Sequence, residues 1–184
     1  MIEPVLAKRI RLVAFDVDGT MTDGGLYIGA QGGAALELKR FDIQDGLGFV
    51  LLKMAGLLVA MVTGREGEAA RIRAAELKVD DFAAQGAARK LQVFEEILAR
   101  RSVRFEECAF MGDDLPDLPI MKRVALPVAV SNAVAEVKQA ALFTTEAPGG
   151  HGAVREFVEA FLKARGTWGD VVKTYLRERG DHGV

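Results

Sequence analysis

The sequence predicts an α/β fold built as a doubly wound parallel sheet, and three observations predict it. Short, β-prone apolar runs recur at residues 10–15, 57–62 and 107–111, each bounded in the way of strands buried on both faces. Every one of these runs breaks off in small and polar residues. Segments of helical periodicity lie between them, and strands alternating with helices give a Rossmann-like sheet covered on both faces.

The first run, Ile10-Arg11-Leu12-Val13-Ala14-Phe15, ends in Asp16-Val17-Asp18-Gly19-Thr20. Residues i and i+2 of an extended chain point the same way, so Asp16 and Asp18 can converge beyond the strand. Open α/β sheets bind ligands at that edge. An ordinary Asp-x-Asp-Gly turn would carry the same residues, and from this stretch alone both readings stay open. Leu26-Tyr27-Ile28 and Leu36-Glu37-Leu38-Lys39-Arg40-Phe41 flank the glycine-rich Gly29-Ala30-Gln31-Gly32-Gly33. That alternation predicts a hairpin over about residues 24–41. A lone ribbon is marginal in water. The apolar face expected from Leu26, Ile28, Leu36 and Leu38 therefore requires a cover, either the domain body or another subunit.

Residues 49–54 continue as a helix, with Asp42 or Asp45 as its cap and Gly56 as its end. The run 57–62 leads to Thr63-Gly64-Arg65-Glu66, then to a helix from about 66 to 77 and a weak strand over 79–84. Lys90 opens a helix that ends near Arg101. The run 107–111 stops at Gly112-Asp113-Asp114-Leu115-Pro116-Asp117. A short helix, a strand-like stretch at 124–130, a helix over 132–140 and an amphipathic helix over 153–164 follow. The tail, 166–184, is charged and amphipathic. With no internal repeat or linker-like segment, residues 1–184 read as a single domain.

Of the 184 residues half are hydrophobic and 27% are charged, which is ordinary globular composition with length enough for a real core. A net charge of −2 gives no general attraction to nucleic acid or an anionic membrane. The longest apolar stretch, 54–62, is too short to span a bilayer. The amino-terminal residues lack a signal-peptide core, and the single cysteine, Cys108, permits no intrachain disulfide. Cys108 lies in an apolar run and reads as a packing residue. A cytoplasmic protein with no nucleic-acid or membrane partner is expected.

Each of the other strand ends has a plain reading of its own. Thr63 could be a helix cap, Lys90 a solvated surface lysine, and Gly112-Asp113-Asp114 a turn. In a doubly wound sheet, however, these ends line one crevice. Taken in order, Asp16-Val17-Asp18-Gly19-Thr20, Thr63, Lys90 and Gly112 to Asp117 resemble the signature of the haloacid dehalogenase superfamily of phosphotransferases. The resemblance covers nearly the whole chain. It is closer to the cap-less subgroup that acts on 3-deoxy-D-manno-octulosonate 8-phosphate, through Thr22-Asp23-Gly24 and the hairpin, Phe41, Asp45-Gly46-Leu47-Gly48, Thr63-Gly64-Arg65, the run 112–119 and Gly149-Gly150-His151-Gly152-Ala153-Val154-Arg155-Glu156.

That resemblance implies a Mg²⁺-dependent phosphatase of a phosphorylated sugar acid, placed in lipopolysaccharide precursor synthesis. It makes Asp16 the nucleophile that becomes an aspartyl-phosphate and Asp18 the acid and base. Thr63 and the Gly64 amide would hold the phosphoryl group while Lys90 offsets its charge. The metal would take the Asp16 carboxylate, the Asp18 backbone carbonyl and Asp113, with Asp114 and Asp117 orienting bound water and Lys90 from behind. Arg65 is the candidate for the sugar-acid carboxylate, because a guanidinium binds one bidentately. The subgroup commonly has Arg where this chain has Gln44, which keeps a related nine-carbon keto-sugar acid open as substrate. A non-catalytic phosphate-binding module is the alternative from another class, and the intact Asp18, Lys90 and Asp113 argue against it. The interval from Thr63 to Lys90 holds little more than a helix and a strand, so there is no room for a cap or for a phosphomutase's closed cleft. The resemblance then implies a homotetramer, in which hairpins pack together and neighbouring subunits, including the carboxyl-terminal segment, complete each site.

Overall fold

The computed structural model describes residues 1–181. The amino-terminal half contains α1 (Pro4–Arg9), β1 (Leu12–Phe15), β2 (Tyr27–Gln31), β3 (Ala34–Leu38), α2 (Ile43–Met54), β4 (Leu58–Thr63), α3 (Glu68–Leu77) and β5 (Asp81–Ala84). After these come α4 (Lys90–Arg101), β6 (Cys108–Gly112), α5 (Leu118–Met121), β7 (Leu126–Ala129), α6 (Ala135–Ala140), β8 (Phe143–Thr144), α7 (Ala153–Arg165) and α8 (Trp168–Arg177).

Six strands form one sheet in the order β5-β4-β1-β6-β7-β8, and every neighbouring pair is parallel. The apolar run that opens the chain thus occupies the centre, with Ala14 in register with Ala60 on one side and Phe110 on the other. All of β1 is buried, as a strand covered on both faces requires. Helices α1, α2, α7 and α8 pack against one another, while α4, α5 and α6 make a separate group. Phe15 meets Phe49 of α2 with ring centroids 4.7 Å apart, and Phe94 of α4 meets Phe110 of β6 at 5.7 Å. Truncating such a ring to alanine costs about 3–5 kcal/mol, and Phe15 is the residue directly before Asp16. The core and Asp16 at the strand's carboxyl end therefore share a strand.

Local signals behave as chemistry dictates. Asp42 caps α2 by accepting from the Gln44 amide at 2.7 Å, whereas the buried Asp45 turns away and accepts from the amides of Gly152 and Arg155 at the start of α7. Cys108 is buried, its thiol pushed up to about 12 by loss of solvent, which fits packing and not nucleophilic chemistry. Differences from expectation lie in element ends, in two short elements and in the faces of the hairpin. The helix foreseen from 132 begins only at Ala135, and α1 and β8 are short elements that the sequence pattern does not reveal.

The hairpin forms, but its faces differ from those expected. β2 and β3 pair antiparallel across a turn at Gly32-Gly33, both at positive φ, the geometry of a tight primed turn. Tyr27 lies opposite Leu38, and Ile28 lies opposite Glu37. Directly opposed residues share a face. Leu36 and Leu38 therefore stand with Tyr27 on one side, while Ile28 stands with Glu37 on the other. The single apolar face of Leu26, Ile28, Leu36 and Leu38 is corrected by this register. Tyr27, Ile28 and Leu38 are exposed by 57%, 73% and 55%, so both faces leave apolar surface open within one chain. At the other end of the chain, α8 packs on α2 and α7 of its own domain, and residues 182–184 of the expected neighbour-reaching tail lie outside the described residues.

Candidate active site

The carboxyl ends of β1, β4 and β6 deliver their polar residues to one rim. Asp16 extends β1 by one ladder bond, donating its amide to the Met111 carbonyl at 2.9 Å. The chain then turns, and the Thr22 hydroxyl accepts from the Gly19 amide and donates to the Val17 carbonyl, both at 3.2 Å. Gly19 sits at φ +91 with the Asp113 carboxylate against its Cα, so both the backbone angle and the close approach demand glycine. Asn132 braces this turn from outside, donating to the Gly19 carbonyl at 3.3 Å and accepting from the Gly149 amide at 2.7 Å.

Lys90 lies at the centre of the rim. Its side chain is 3% exposed, and its ammonium is paired with Asp16 and lies 2.6 Å from Asp117 Oδ1. Burial alone would lower a lysine; here the two carboxylates outweigh it and hold Lys90 above the ordinary range. The second oxygen of Asp117 accepts from the amides of Asp113 and Asp114. Asp114 caps the following turn by accepting from the Leu115 amide at 2.7 Å and is exposed. Thr63 donates from its hydroxyl to Asp18 Oδ2 at 3.2 Å and accepts there from the Arg65 amide at 3.1 Å. Arg65 reaches back to Glu37 of the hairpin at 3.0 Å.

Oxygens of Asp16, Asp113 and Asp117 come within 4.8 Å of one another, with one ammonium between them. One cation among three buried or half-buried carboxylates leaves the group short of positive charge. Burial, together with Asp117, pushes the Asp113 carboxyl up to about 6, and burial drives Asp16 well above the usual range despite Lys90. Asp117 is already engaged on both oxygens, which leaves Asp16 and Asp113 as hard oxygen donors for a divalent cation. The donor set fits Mg²⁺.

A cleft of about 340 Å³ is lined by the nine catalytic, metal and substrate candidates Asp16, Asp18, Thr63, Gly64, Arg65, Lys90, Asp113, Asp114 and Asp117, and also by Gly24, Leu26 and Pro116. Its size is that of a small-molecule site. Gln44 does not line this cleft; it borders a separate hollow with His151 and Arg155, so its lack of charge does not act on the cleft within one chain. Sequence reasoning missed Glu37, Lys39 and Asn132. The Lys39 ammonium lies 2.6 Å from Asp18 Oδ1. The alternation of β3 was the available signal, since it puts Glu37 and Lys39 on one side of the ribbon.

The family model of haloacid dehalogenase-like hydrolases matches residues 81–157. The 3-deoxy-D-manno-octulosonate 8-phosphate phosphatase of Escherichia coli (strain K12) is 38% identical over 160 residues, 87% of this chain and 83% of that protein. The corresponding phosphatase of Moraxella catarrhalis, solved with magnesium, phosphate and the KDO molecule, is 34% identical with a TM-score of 0.86, over 94% of this chain and 97% of that one. The cobalt-bound form from Haemophilus influenzae is 34% identical with a TM-score of 0.81, over 89% and 93% of the two chains.

Proposed function

The chain belongs to the haloacid dehalogenase-like hydrolases, and from that premise we propose that it hydrolyses 3-deoxy-D-manno-octulosonate 8-phosphate to the free sugar acid and phosphate, in lipopolysaccharide precursor synthesis. The observation that carries this reading is the convergence of Asp16, Asp18, Thr63, Lys90 and Asp113 on one cleft. It is reinforced by relatives of that activity covering most of the chain. The protein is a phosphoric monoester hydrolase that uses Mg²⁺.

Asp16 attacks phosphorus in line, forming its own carboxylate–phosphorus bond as the bond to the sugar oxygen breaks. Asp18 gives its proton to that departing oxygen. It then takes a proton from the water that attacks phosphorus and releases Asp16. Lys90 holds the attacking carboxylate in place, and with the Thr63 hydroxyl and the Gly64 amide it balances charge on the phosphoryl oxygens. The Asp16 and Asp113 carboxylates and the Asp18 carbonyl would hold Mg²⁺, which would supply the remaining positive charge for the phosphoryl group. Asp117 fixes Lys90, and Asp114 caps the loop that carries Asp113. Arg65, at the cleft wall, is placed to exchange Glu37 for the carboxylate of the sugar acid.

The same reading makes the protein cytoplasmic and homotetrameric. Apolar residues exposed on both faces of the hairpin support packing between hairpins of several copies, with neighbours closing the open cleft. Phosphate release from the eight-carbon ester, with and without EDTA and beside a panel of other phosphorylated keto-sugar acids, tests the function. Metal-dependent release that favours the eight-carbon ester is expected. Preference for a nine-carbon ester would replace the substrate, and no release from any ester would refute the activity.

A further inference from the structure

The hairpin brings a second lysine to the second aspartate. We propose that Lys39 is the positioning residue for Asp18, holding its carboxyl group in the orientation that exchanges a proton with the bridging oxygen, and that Glu37 holds Lys39 there. This inference rests on the phosphatase reading and assigns a role to the hairpin within its own chain.

Asp18 stands at the open side of the cleft with its side chain 35% exposed, where a carboxyl group is free to rotate. Both of its oxygens are gripped instead. Thr63 donates to Oδ2 at 3.2 Å, and the Lys39 ammonium lies 2.6 Å from Oδ1. Lys39 is itself an unusual group for an edge ribbon, since its side chain is 1% exposed and a buried ammonium is costly unless paired. Its second partner is Glu37 Oε1 at 3.4 Å, and the other Glu37 oxygen takes Arg65 at 3.0 Å. Glu37 and Lys39 are two residues apart in an extended segment, so they project toward the cleft together. Gly67 makes room for them, because a Cβ there would come within 2.9 Å of Glu37 Oε1 and 3.9 Å of Lys39 Nζ. The chain Thr63–Asp18–Lys39–Glu37–Arg65 thus joins the ribbon to the end of β4. Lys90 has the same relation to Asp16: each aspartate has a buried lysine of its own.

The competing role for Lys39 is binding of a substrate anion, and a series of substituted phenyl phosphates with graded leaving-group acidity separates the two. These esters share size and charge, so lost anion binding lowers kcat/KM alike across the series. A displaced proton donor penalises the poorest leaving groups most. For the full-length Lys39→Met enzyme we expect a loss of about 10²-fold on phenyl phosphate, the scale of general acid catalysis, and a loss several times smaller on p-nitrophenyl phosphate. Glu37→Gln gives the same tilt with smaller amplitude, and Lys39→Arg recovers part of it. Glu37→Gln decides the matter if Lys39→Met does not fold, because Glu37 lies at the surface end of the network. A uniform loss across the series, or none, overturns the proposal. A wild-type enzyme that turns over the aryl esters but not the sugar-acid ester refutes the proposed substrate and leaves this inference standing.

Discussion

Lys90 and Lys39 are both buried lysines facing an aspartate of the cleft, Asp16 and Asp18 respectively, and they are held in opposite ways. Lys90 opens α4 beneath the rim of a six-stranded sheet, and its partner Asp117 is fixed by two backbone amides. Lys39 arrives at the end of a two-stranded ribbon and depends on side-chain contacts to Asp18 and Glu37. Positions fixed by backbone and core are over-determined; positions fixed by side chains on a ribbon can be retuned one residue at a time. Asp16, the proposed nucleophile, belongs to the first kind of region, and Asp18, the proposed acid and base, to the second.

The largest expected effect comes from breaking the rim. Lys90→Met leaves Asp16 and Asp117 buried without their cation, which costs about 3–5 kcal/mol in stability and about 10³-fold in turnover. Urea unfolding and phosphate release measure the two losses. Lys39→Met, with one partner part-exposed, should lose less on both scales. Equal losses would erase the distinction between the regions.

A second effect separates the regions by pH. The Asp113 carboxyl is raised to about 6 from 3.8, so the folded, metal-free protein binds a proton more tightly than the unfolded chain. Stability from this group is therefore complete below about pH 4 and is lost as pH rises through about 6. Because Mg²⁺ requires ionised carboxylates, its thermal shift should grow across the same interval. Asp113→Asn should weaken both trends and leave the part that Asp16 contributes, while Glu37→Gln in the hairpin leaves them in place. A Mg²⁺ shift that is flat in pH would contradict the assignment of Asp113.

The smallest stability effect belongs to the ribbon's outer face. Leu38→Ser changes monomer stability by less than about 0.5 kcal/mol, as exposed substitutions do, yet it should move the mass seen by light scattering from tetramer toward smaller species. A wild-type monomer at working concentration would remove the shared-site reading.

The sheet was legible because buried strands write themselves as bounded apolar runs, and Leu12 to Phe15 takes the central position that such a run implies. The rim was legible because each run stops at residues that line the cleft. The hairpin was only half legible. Alternation located β2 and β3, but the pairing of Ile28 with Glu37 is set by the turn at Gly32-Gly33, and register fixes which side chains share a face. Asn132 looked like part of a helix, since nothing local announces that its amide group spans Gly19 and Gly149. Contacts between distant loops leave no periodic trace.

The central claim is that Asp16 takes phosphorus from the ester. Acid quenching during turnover, borohydride reduction of the acyl-phosphate and peptide mass spectrometry test it most directly. Reduction should convert Asp16 alone to homoserine, and the Asp16→Asn enzyme should show neither that product nor phosphate release above about 10⁻⁴ of wild type. Homoserine at another aspartate, or full turnover by Asp16→Asn, would contradict the account.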